Sequence, residues 1–72
     1  MKVYRRIRDL REDKDLSQTQ VAKEINVSQR TYSYYENGER TIPPEVLVAL
    51  AKYHDVTVDY ILEIVDDPNP YK

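Results

Sequence analysis

The sequence predicts a compact all-α domain of five helices in which the second and third form a tightly turned pair. Three observations carry that prediction. Ser17 stands three positions before Gln20 in a capping-box spacing, and Ser28 repeats the N-cap signal eleven residues later, so two helices open within one short stretch. Gly38, the only glycine in the 72 residues, lies just past Asn37, where a helix begun at Ser28 must stop. Apolar residues recur at spacings of three and four rather than alternating, which is the signature of helices and not of strands.

The first helix is expected over residues 2 to 14, with Val3, Ile7 and Leu10 on one face and Arg5, Arg6, Arg8 and Lys14 mostly on the other. Leu16 anchors the link into the capped pair. In the second helix Val21, Ala22 and Ile25 share a face, and the short Ala22 lets another helix cross closely. Asn26 tolerates the left-handed backbone needed to leave that helix sharply, and Val27 then points inward. In the third helix Tyr32, Tyr35 and Glu36 share the inner face. The outer face is therefore Arg30, Ser33, Tyr34 and Asn37, with Gln29 at its leading edge.

A loop from Glu39 to Pro43 follows. Pro43-Pro44 suits the opening of a fourth helix, because the first turn has no use for those amide protons. Leu47, Leu50, Ala51 and His54 make its stripe, ending near Asp55. Thr57 caps a fifth helix with Asp59 in the first turn, and Ile61, Leu62 and Val65 are its apolar positions. One domain should cover residues 1–65, and the proline-containing segment 66–72 should be an extended or disordered tail.

Composition narrows the function classes. With no cysteine there is no disulfide scaffold and no Cys-based zinc site. No apolar run reaches the ~20 residues a spanning helix needs, and the N-terminus lacks a secretory h-region, so a soluble, intracellular chain with no membrane association is expected. Net charge is −2, yet residues 1–40 carry 9 basic and 7 acidic groups and the remainder 2 and 6, giving +2 against −4. A basic face on one half is enough for phosphate contacts, although the same charges would also serve simply to solvate helices. His54 has no second histidine or cysteine beside it and fits a core or boundary position better than a metal ligand. Most of the seven tyrosines fall on core spacing rather than forming a stacking platform for single strands. Paired carboxylates in an apolar setting, a nucleophile beside a base, a glycine-rich phosphate loop and metal-ligand spacing are all missing, so no enzyme, metal or cofactor is expected.

The run LREDKDLSQTQVAKEINVSQRTYSYYENGER, followed by proline, LVALAKYHDV and TVDYIL, resembles the helix-turn-helix domain of the Cro and phage-repressor (Xre) type of transcriptional regulator. The resemblance spans about residues 5 to 63. Its most specific pieces are Leu16-Ser17-Gln18, Val21-Ala22, Val27-Ser28 and Glu36-Asn37-Gly38. It implies a lambda-repressor-like fold, a third helix lying in the DNA major groove, and base reading by Gln29, Arg30, Ser33 and Tyr34. Arg30 suits guanine O6 and N7, and Gln29 suits adenine N6 and N7. Gln18, Ser28, Asn37, Arg40 and Thr41 match positions that hold the DNA backbone. A structural ion pair between Arg11 and Glu36 is implied as well.

The sequence departs from the family pattern in three places. Asn26 replaces a usual glycine, Tyr32 and Tyr35 replace aliphatic residues, and His54-Asp55 replaces a leucine and a glycine. Tyrosines there need partners for their hydroxyls or must turn them toward the DNA backbone. The resemblance implies a cytoplasmic, prokaryotic or phage-encoded repressor that binds double-stranded DNA, as a homodimer on a palindromic operator. Val46, Val48, Tyr60 and Ile64 exceed what the core needs and are the candidates for that dimer interface. No second domain is at hand to sense a ligand, so no small-molecule effector is expected. The alternative is a protein-interaction module of the antitoxin or antirepressor kind.

Overall fold

The computed structural model describes residues 3–66. Among these the elements are α1 (Arg5–Asp13), α2 (Gln18–Glu24), α3 (Gln29–Asn37), α4 (Pro44–His54) and α5 (Val58–Ile61), with no strand. The expectation of an all-α, five-helix fold is met. The expected tail lies outside the described residues apart from Asp66.

Local chemistry starts the helices where the sequence places the caps. The Ser17 hydroxyl accepts from the Gln20 amide at 3.1 Å while the Gln20 side chain accepts from the Ser17 amide at 2.7 Å, completing the capping box. Ser28 accepts from the Thr31 amide and Thr57 from the Tyr60 amide, each at 3.0 Å. Pro43 is the N-cap of α4 and Pro44 its first residue.

Two boundaries differ from expectation. Helix α1 begins at Arg5, not at residue 2, because Tyr4 is extended and offers no side-chain cap and Val3 remains exposed, so nothing apolar draws in the preceding turn. Helix α5 stops after one turn rather than reaching Val65. The Glu63 backbone is left-handed at φ 63°, and the Ile64 amide bonds back to the Asp59 carbonyl at 2.9 Å, which closes the helix.

All five helices end the same way. A left-handed residue (Asp15, Asn26, Gly38, Asp55 or Glu63) is followed by an amide that reaches back five positions, as in Leu16 to Arg11, Val27 to Ala22 and Val56 to Ala51. At Asp15, Asn26 and Asp55 the next residue is apolar and packs against the core, so the tertiary fold holds an unfavourable backbone in place. Asp55→Gly is therefore expected to raise stability by about 0.5–1 kcal/mol, read as a higher midpoint in urea unfolding. An unchanged midpoint would mean that the backbone at residue 55 carries no strain.

The core is Ile7, Val21, Ala22, Ile25, Tyr32, Tyr35, Ile42, Leu50, Ala51 and Ile61. Ile42 comes from the segment read as a plain loop, and its burial pins that segment between α3 and α4. His54 lies inside as expected, with neither ring nitrogen hydrogen-bonded and its ring edge-on to Tyr53 at 5.0 Å. Arg6, expected on the solvent face, is half-buried instead. It donates to the Tyr60 carbonyl at 2.8 Å, to the Val65 carbonyl and to Asp66, and its guanidinium sits 4.2 Å from the centre of the Tyr60 ring. That clamp ties the segment after α5 to α1. Of the proposed interface residues, Val48 and Ile64 are exposed, whereas Val46 packs against the core and Tyr60 is half-buried under Arg6.

Candidate nucleic-acid interface

Helices α2 and α3 pack on each other, and burying Tyr32 and Tyr35 fixes which side of α3 faces out. Gln29, Arg30 and Asn37 are exposed and Ser33 and Tyr34 half-exposed, as the helical spacing requires. Ser28, Arg40 and Thr41 are exposed around them, and Gln18 is half-buried at the start of α2. The surface is polar, with two arginines and amide side chains at hydrogen-bonding reach from a helix narrow enough to enter a major groove.

Behind this face lies a buried polar network. Arg11 Nε donates to Glu36 Oε2 at 2.7 Å and Nη2 to Oε1 at 3.1 Å, a two-point pair in which the glutamate side chain is only 3% exposed. Arg11 also donates to the Leu16 carbonyl at 2.9 Å, so it holds the α1–α2 link as well. The implied ion pair is thus present. Burial alone would push the Glu36 carboxyl up, but the Arg11, Tyr32 and Gln18 side chains around it outweigh burial and hold it below the ordinary carboxylate range. Arg11 is raised in turn, chiefly through its bond to Glu36.

The Tyr32 hydroxyl neither protrudes toward the surface nor finds a partner at hydrogen-bond geometry, contrary to expectation. It is buried beside the same carboxylate, and burial followed by the neighbouring negative charge pushes its pKa well up, so it stays neutral.

The network reaches the outer face through two glutamines. Gln18 donates to Glu36 Oε1 at 3.1 Å, and its own oxygen accepts from Gln29 at 2.9 Å. Spacing within one helix cannot reveal such links, because residues 11, 18, 29 and 36 come from three helices. Sequence reasoning also missed Glu39, whose carboxylate accepts from Asn37 at 3.3 Å and borders, with Tyr34 and Arg40, a shallow recess of about 160 Å³. Among the described residues no group of three His, Cys, Asp or Glu side chains could hold a metal ion, and no helix is long and apolar enough to cross a membrane.

Residues 7–61 match the family described as helix-turn-helix. The chain is 42% identical over 65 residues to an uncharacterized HTH-type transcriptional regulator, YobD, of Bacillus subtilis (strain 168), covering 90% of this chain and 58% of that protein. It is also 42% identical over 62 residues to the cryptic phage CTXphi transcriptional repressor RstR of Vibrio cholerae, covering 86% of this chain and 53% of the relative. The chain thus spans little more than half the length of these curated relatives. Among solved structures the P22 c2 repressor in complex with a synthetic operator superposes with a TM-score of 0.77 at 29% identity, covering 85% of this chain and 94% of that one. With the capped pair, the buried back of α3 and the family match over most of its length, the chain belongs to the helix-turn-helix family of the Cro and phage-repressor type.

Proposed function

We propose that this chain binds double-stranded DNA sequence-specifically and serves a transcriptional repressor that occupies a palindromic operator as a dimer. The observation that carries the reading is the outward face of α3, where Gln29, Arg30 and Asn37 stand free of the core that buries Tyr32 and Tyr35. Gln29 and Arg30 reach base edges, with Ser33 and Tyr34 beside them, while Gln18, Ser28, Asn37, Arg40 and Thr41 hold phosphates. The names of the relatives support the regulator role, and their bacterial and phage origin supports a prokaryotic or phage setting. A single α3 spans only a few base pairs, so two copies on half-sites about 34 Å apart account for recognition of a unique site. Exposed Val48 and Ile64 are available for contact between the copies.

Selection of bound duplexes from a random DNA library tests this directly. The expected result is an enriched inverted repeat whose binding weakens steeply with salt. Absence of enrichment, or affinity that hardly responds to salt, would overturn it and favour the antitoxin or antirepressor class. On the enriched site Arg30→Ala should cost about 1–3 kcal/mol and relax preference at one base pair. Arg40→Ala should weaken all sequences alike and flatten the salt slope by about one unit. Identical behaviour of the two variants on specific and random DNA would refute the division of roles.

A further inference from the structure

Tyr34 contacts two cations. The Arg30 Nε–H donates to the Tyr34 hydroxyl at 2.8 Å, with the guanidinium carbon 5.8 Å from the ring centre. The Arg40 guanidinium carbon lies 4.9 Å from the same centre. The first contact follows from i, i+4 spacing on α3, and the second from the left-handed turn at Gly38. In that turn the Glu39 amide bonds to the Tyr34 carbonyl at 2.9 Å and the Gly38 amide to the Tyr35 carbonyl at 3.3 Å, which folds the chain back over the ring. The hydroxyl oxygen and the negative ring face of one side chain thereby engage both cations.

The chemistry of the arrangement is specific. With its Nε occupied, Arg30 has only the outer fork of Nη1 and Nη2 left to offer, and that fork matches guanine O6 and N7 end-on. A free arginine must give up its rotamer freedom when it meets a base, whereas one already tethered loses less.

We propose that Tyr34 is a positioning residue that sets specificity by holding Arg30 for guanine and Arg40 for a neighbouring phosphate, rather than reading a base itself. This rests on the DNA-binding reading above and refines it. Tyr34 links one base contact to one backbone contact, so the guanine must lie at a fixed offset from the phosphate that Arg40 meets.

The test compares wild type, Tyr34→Phe, Tyr34→Leu, Arg30→Ala and the Arg30→Ala/Tyr34→Phe double variant on the selected duplex, on duplexes changed one base pair at a time, and across a salt series. Tyr34→Phe keeps the ring under Arg40 but loses the hydroxyl. It should lose roughly five- to twentyfold discrimination at the G·C pair whose preference Arg30→Ala abolishes, with its salt slope intact, and should cost nothing further in the Arg30→Ala background. Tyr34→Leu should lose the same discrimination and also flatten the salt slope by about one unit. Normal discrimination by Tyr34→Phe, or a loss at a different base pair that adds to that of Arg30→Ala, overturns the positioning role. Thermal melting of each variant separates these effects from unfolding, and if Tyr34→Leu melts early the Phe variant decides alone. Wild type that selects no sequence overturns the DNA-binding reading and this proposal together, whereas additive losses on a well-selected site overturn this proposal only.

Discussion

Glu36→Ala is expected to lower the melting temperature on the order of 15–30 °C, because it leaves the Arg11 guanidinium without its carboxylate at a site where its own side chain is 14% exposed. Breaking a buried pair from one side costs about 3–5 kcal/mol. A single domain of this size has a net stability of comparable magnitude, so the variant should be largely unfolded near 37 °C. The charge-free pair Arg11→Met/Glu36→Leu should recover most of the loss, since neither member then strands a buried charge. Far-UV circular dichroism melts decide the matter. A Glu36→Ala protein melting within a few degrees of wild type would show that the pair contributes nothing. Glu36 also supports Gln18, which in turn holds Gln29, so on the proposed DNA-binding reading weaker discrimination at the base assigned to Gln29 is expected once the folded fraction is corrected for.

The second large effect is acid sensitivity centred on His54. Burial, reinforced by the Lys14 charge, pushes its pKa down from 6.5 to about 4. Below pH 6.5 the unfolded chain takes up a proton that the folded chain refuses until about pH 4, so stability is full above 6.5 and falls as pH drops through that window. The whole shift corresponds to about 3 kcal/mol. The Glu36 carboxyl, held low in the folded state, adds to the loss only further down, as pH falls below its ordinary value of 4.5 and through its folded value. His54→Leu should remove the first part of the slope. It should also raise stability at pH 7 by about 1 kcal/mol, because two buried nitrogens without partners disappear. Urea unfolding at pH 7 and at pH 5 measures both quantities. Equal midpoints for wild type at the two values would mean that His54 is solvated in solution.

The starts of the helices capped by a side chain were legible because capping is a local event. Ser17, Ser28 and Thr57 each satisfy an amide three residues ahead, and no distant residue is needed to foresee it. The inner and outer faces of α3 were legible for a similar reason, since helical spacing alone separates Tyr32 and Tyr35 from Arg30 and Tyr34. The stops were legible where residue type or pattern announces them, at Asn26 and Gly38 and, where the apolar stripe of the fourth helix runs out, near Asp55. Asp15 and Glu63 give no such signal, and their left-handed backbones arise from how the following segments are held.

From the sequence by itself came the class of the molecule, the position of the turned pair, the polar side of its third helix and, through family resemblance, the Arg11 to Glu36 contact. Only the tertiary structure decided that Arg6 clamps the segment after α5, that Ile42 enters the core, that Gln18 joins Glu36 to Gln29, and that Arg40 closes over Tyr34. The physical reason is range. Caps and faces follow from atoms within one helical turn, whereas these four contacts depend on where separate segments come to rest, and that is set by the packing of the whole core.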